Sequence, residues 1–78
     1  MESETWHVAI TLAEDALDVT AKARFADCAV DLVGLGVAPV GLAETPGLQV
    51  QALAVVRSLR SLAEALEEMA RLDRLDPA

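Results

Sequence analysis

The sequence predicts an α+β domain, a three-stranded antiparallel meander followed by one long C-terminal amphipathic helix. Three features of its 78 residues carry that reading. Two runs of alternating apolar and polar residues lie a short polar connection apart, a third alternating run follows, and a stripe at helical spacing fills the rest. The whole chain, 1–78, reads as a single domain.

The first run covers residues 5–13. Trp6, Val8, Ile10 and Leu12 share one face, and His7, Ala9, Thr11 and Ala13 the other. A period of two marks a half-buried strand. After Glu14-Asp15-Ala16, a second run over 17–26 places Leu17, Val19, Ala21, Ala23 and Phe25 opposite Asp18, Thr20, Lys22, Arg24 and Ala26. Two such runs a few residues apart form a hairpin. Asp27-Cys28-Ala29 reads as a second turn, although it lacks Gly or Asn.

A third run, 30–38, sets Val33, Leu35 and Val37 against Leu32, Gly34, Gly36 and Ala38. Glycines at alternate positions weaken a strand and mark a bulge or something packed close against that face. Residues 39–47, punctuated by Pro39, Gly41, Pro46 and Gly47, read as a loop. Thr45-Pro46 has the form of a helix start, with Thr as N-cap and Pro at the first helical position. The helix is expected over about 46–73, ending before Asp76-Pro77. Its apolar stripe includes Val55, Leu59, Leu62, Leu66 and Met69. The opposite face carries Arg57, Arg60, Glu64, Glu67, Glu68 and Arg71, with Arg60–Glu64 and Glu67–Arg71 one turn apart.

By bulk, the inward sheet set is Trp6, Val8, Ile10 and Leu12, then Val19 and Phe25, then Val33, Leu35 and Val37. The outer face is then built of small residues, Gly34 and Gly36 among them, with Lys22 and Arg24 at its centre. One helix covers one face, and the first and third strands are both open edges. Apolar residues make up 54% of the chain, yet it has one Trp, one Phe and no Tyr. A chain this small hides roughly 60% of its unfolded surface. The surplus predicts a homodimer, with Leu32, Gly34 and Gly36 as its surface and Trp6 near the rim.

A net charge of −7 argues against generic binding to phosphate backbones, which needs clustered cations. Cys28 is the only cysteine, so an internal disulfide or four-ligand zinc site is excluded. The acidic start Met1-Glu2-Ser3-Glu4 does not resemble a secretion signal, and charges interrupt every apolar run. A cytoplasmic chain with no membrane span is expected.

No catalytic, cofactor or metal constellation emerges, and the expectation is that the chain is not an enzyme. His7 has no second His and no thiol or carboxylate cluster with it, so a structural or solvated role is expected. Cys28 lies between Asp27 and Asp31, a setting that opposes thiolate formation and reactivity. Ser58 and Ser61 have no base in reach. Gly34-Leu-Gly36 lacks the following helix of a phosphate-binding turn. Lys22 and Arg24 form a candidate contact patch for RNA phosphates or an acidic partner, weighed against a salt-bridged pair facing Asp18 or Asp31. Duplex-RNA binding also needs cations at the start of the helix, and 45–56 has none, so direct binding is not expected.

Four segments together resemble a known family: Trp6-His-Val8-Ala-Ile10, Thr20-Ala-Lys22-Ala-Arg24-Phe25, Leu32-Val-Gly34-Leu-Gly36-Val-Ala38 and Val56-Arg57-Ser-Leu59-Arg-Ser-Leu62. They are similar to a family of small actinobacterial proteins of unknown function with a double-stranded-RNA-binding-domain-like fold. The resemblance covers nearly the whole chain. It departs after the third strand, where Pro39 to Gln49 lacks the family's N-P-A-D-like loop and acidic helix start, and at Ser61, where the family has Asp. The resemblance implies a β-β-β-α unit that homodimerises, a link to stress or dormancy, and a likeness to ribosome-hibernation factors, hence a ribosome- or RNA-associated alternative. Fold alone does not establish such a role.

Overall fold

The computed structural model describes residues 2–40 and 47–75. Three strands, β1 (Ala9–Glu14), β2 (Asp18–Ala26) and β3 (Asp31–Pro39), form an antiparallel sheet in the order β1-β2-β3. They are followed by one helix, α1 (Leu48–Leu75). This is the β-β-β-α arrangement the sequence predicts.

An aspartate opens each turn. Asp15 N–H donates to Asp18 C=O at 2.8 Å, and the Asp15 carboxylate accepts from Ala16 N–H. Asp27 N–H donates to Val30 C=O at 2.7 Å, and the Asp27 carboxylate accepts from Cys28 N–H. Asp satisfies a turn's own backbone in this way, so the second hairpin closes without Gly or Asn.

The strand registers determine which residues share a face. Ala21 pairs with Leu12 on one side and Gly36 on the other, and Ala23 with Ile10 and Gly34. Lys22 sits between Thr11 and Leu35. The helix-facing side of β2 is therefore Val19, Ala21, Ala23 and Phe25, all buried.

On β3 the expected faces are reversed. Gly34 and Gly36 are buried beneath α1, with Leu32 and Ala38 on the same side, while Val33, Leu35 and Val37 stand on the open face. The cause is steric. A Cβ built on Gly34 would meet Leu62 N and Ser58 O at 2.3 Å, and one on Gly36 would meet Ser58 N at 2.3 Å and Ala54 O at 2.4 Å. The helix backbone lies on the strand backbone, and only glycine leaves room for it. Ala54 and Ser58 supply the small residues on the helix side, both fully buried.

Two small clusters make the core. Val19, Ala21, Ala38 and Ala54 form one, while Ala23, Phe25 and Leu62 form the other. The first intrahelical bond runs from Gln51 N–H to Gly47 C=O at 3.0 Å, so α1 begins after Gly47. Thr45 and Pro46, the expected start, lie outside the described residues. On the exposed helix face Arg71 pairs with Glu68 at 3.3 Å.

Candidate functional site

Because the helix backbone sits on β3, α1 packs mainly on β3 and β2 and touches β1 only at its margin. One link crosses the gap, from Gln51 Nε2 to Glu14 Oε1 at 2.6 Å. The helix-facing side of β1 is therefore left uncovered. Trp6 is 56% exposed, Ile10 40% and Leu12 39%. The Trp6 ring stacks on Phe25 with centroids 4.6 Å apart and planes 19° apart, which ties this end of the strip to the core. Leu59 and Val56, further round the helix from the buried Ala54–Ser58–Leu62 line, are also exposed.

The other face of the sheet carries the two cations singled out from the sequence. Arg24 Nε and Nη2 donate to Asp31 Oδ1 and Oδ2 at 2.9 and 2.8 Å, a bidentate pair. The hydrogen bond from Arg24 holds the Asp31 carboxyl below its ordinary range; desolvation opposes it, and the charges of Arg24 and Lys22 add to the lowering. The Arg24 guanidinium is held more firmly protonated for the same reason. Of the two partners weighed from the sequence, Asp31 is thus the one engaged. Lys22 stands among Thr11, Thr20 and Leu35. Leu35, 59% exposed, with Val33 and Val37 makes this face more apolar than the sequence suggests.

The residues expected to form a dimer surface separate. Trp6 is accessible, Gly34 and Gly36 lie directly beneath the helix backbone, and Leu32, half-buried, packs against the Ala23–Phe25–Leu62 cluster. Bulk was the misleading signal, because it assigned Val33, Leu35 and Val37 to the core. The alternate glycines pointed to close packing on their own face, which is where the helix lies.

His7 is exposed and, with Ala9, Arg24 and Ala26, lines an open depression of about 420 Å³. Cys28 is exposed in the β2–β3 turn. Ser58 is buried, and its hydroxyl donates to Val55 C=O at 2.7 Å. No group of three His, Cys, Asp or Glu side chains capable of holding a metal occurs among the described residues. Among the described residues, no helix is long and apolar enough to cross a membrane.

No family model matches the chain. No curated protein matches it either. Among solved structures it is similar to the crystal structure of Rv2632c, a mycobacterial protein, with a TM-score of 0.84 and 27% identity. The likeness covers 94% of this chain and 88% of that one. It is consistent with a small actinobacterial family of uncharacterised proteins.

Proposed function

We propose that this chain is a non-enzymatic interaction protein that acts as a homodimer, of the double-stranded-RNA-binding-domain-like kind that the sequence resembles. The observation that carries this reading is the uncovered apolar strip on β1. Ile10 and Leu12 on the helix-facing side of β1, with Val8 and Trp6 in the segment leading into it, are exposed where the helix touches the strand only at its margin.

Size supports it. The chain exposes 6216 Å², where a compact monomer of 8.2 kDa exposes about 4,500 Å². Its radius of gyration is 15.6 Å, against about 11–12 Å for a compact domain of this length. Contiguous exposed apolar residues mark association surfaces. A stress- or dormancy-associated role is what the family resemblance adds.

Light scattering on a sizing column tests the assembly. At tens of micromolar the expected mass is twice the 8.2 kDa of one chain, and a mass of one chain overturns the homodimer. The ribosome- or RNA-associated alternative has weaker support, since Arg24 is engaged by Asp31 and Leu48 to Val56 holds no cation. It requires salt-sensitive co-sedimentation with ribosomes, lost on Lys22→Ala with Arg24→Ala.

A further inference from the structure

We infer that the homodimer forms through the open edge of β1, which pairs antiparallel with the β1 of a second copy about a two-fold axis at Ile10, giving one six-stranded sheet. This rests on the homodimer reading above and names its surface.

The two edges of the sheet differ in kind. Main-chain hydrogen bonding alternates along an antiparallel strand. Asp15 N–H bonds to Asp18, so Ala13, Thr11 and Ala9 direct their main-chain groups to β2. Those of Ile10, Leu12 and Glu14 point to the open edge. On β3 the second hairpin sets the opposite parity, and Val33, Leu35 and Val37 face that strand's open edge. There the edge is obstructed. Val37 C=O accepts from Arg57 Nη1 at 2.7 Å, Pro39 has no N–H to offer, and Asp31 places a charge at the strand's start. Natural sheets protect an edge with such devices. The β1 edge carries fewer of them: residues 5–13 contain no Lys, Arg, Asp, Glu, Pro or Gly, and its one charge, Glu14 at the strand's last residue, is held by Gln51 of the helix.

The occupant is a second copy because the strand is complementary to itself. About an axis at Ile10, Ile10 meets the partner's Ile10, Val8 meets the partner's Leu12, and Ala9 meets the partner's Thr11. Val8, Ile10 and Leu12 each gain an apolar cross-strand neighbour, while Trp6 comes opposite the partner's Glu14. Of the two neighbouring registers, an axis at Ala9 sets Glu4 against the partner's Glu14 twice over, and like charges directly opposite are unfavourable, while an axis at Thr11 sets the apolar Val8 against the partner's Glu14.

Cross-linking in a Cys28→Ser background tests the register. Ala9 and the partner's Thr11 form a non-hydrogen-bonded pair, whose Cα atoms lie roughly 4.5 Å apart, within disulfide range. A mixture of Ala9→Cys and Thr11→Cys chains is expected to give disulfide-linked dimers under mild oxidation, with little from either chain alone. Cross-linking of Ala9→Cys to itself, or none from the mixture while light scattering still shows a dimer, overturns the inference. A monomeric parent overturns the homodimer reading instead. Ile10→Lys, checked for folding by circular dichroism, is expected to raise the dissociation constant at least about tenfold. Leu35→Lys on the other face leaves it unchanged. A folded Ile10→Lys chain that still dimerises with parental affinity also overturns the inference, and if that variant fails to fold the cross-link decides.

Discussion

The amide nitrogen of Leu62 stands 2.3 Å from the point where a Cβ on Gly34 would be. That approach places the helix axis over β3 and away from β1. The position of the helix, the small-residue core and the uncovered strip all follow from it.

Gly34→Ala is the first test. The new methyl meets helix backbone atoms, not the end of a flexible side chain, so the helix must shift. Overpacking of this kind costs about 1–3 kcal/mol, and Gly36→Ala is expected to behave alike. For a domain this small, each kcal/mol lowers Tm by roughly 4–8 °C. Thermal and urea melts check it, and a parental Tm contradicts the close approach.

Ser58→Ala is expected to be nearly neutral, within about 1 kcal/mol. The buried hydroxyl bonds only within its own helix, to Val55 C=O, and alanine is the better helix former. Ser58→Val adds volume against Gly34 and Gly36 and is expected to destabilise by about 1–3 kcal/mol. Urea midpoints for the two variants check the contrast, and equal losses would contradict it.

Trp6 reports on Phe25. Phe25→Ala removes a side chain that is 6% exposed and is expected to cost about 3–5 kcal/mol. Trp6→Ala, which loses a partly exposed stacking partner, is expected to forfeit about 0.5–1.5 kcal/mol from the aromatic pair. Since Trp6 is the chain's single Trp, its emission should shift to longer wavelength in a milder Phe25→Leu variant. An unmoved emission maximum would deny the stack.

The Arg24–Asp31 pair gives a pH dependence of definite sign. Hydrogen bonds from Arg24 depress the Asp31 pKa in the folded chain. The pair therefore contributes fully above the unfolded carboxylate value, about 3.9, and its contribution is lost as pH falls through the lower folded value. Both side chains are exposed, so the contribution is small and screened by salt. A carboxyl titration followed by NMR should place Asp31 below the ordinary range and return it upward in Arg24→Gln. No movement on that substitution would contradict the pairing.

Much of the fold is legible in the sequence because alternation and helical spacing are local. The period of two gives β2 its correct faces, with Val19 and Phe25 inward and Lys22 and Arg24 outward. On β3 the same period holds but its phase does not follow from bulk. Val33, Leu35 and Val37 outweigh Leu32, Gly34, Gly36 and Ala38 in volume, yet the helix chooses the side that lets two backbones meet. That choice depends on Ala54 and Ser58, some twenty residues further on. The Arg24–Asp31 pair was one of two alternatives on β2 and β3, and the register, bringing Ala26 opposite Asp31, selected it. The edge protection at Val37 depends on Arg57 reaching across from the helix, which no local pattern announces.

Amide hydrogen exchange at Ile10 and Leu12 tests the central claim most directly. Their N–H groups point away from β2, while those of Thr11 and Ala13 are bonded within the sheet. Protection at Ile10 and Leu12 should be weak at low protein concentration and rise as concentration increases, with Thr11 and Ala13 protected throughout. Fast exchange at Ile10 and Leu12 at every concentration, in a chain that remains folded, would contradict an interface on this edge.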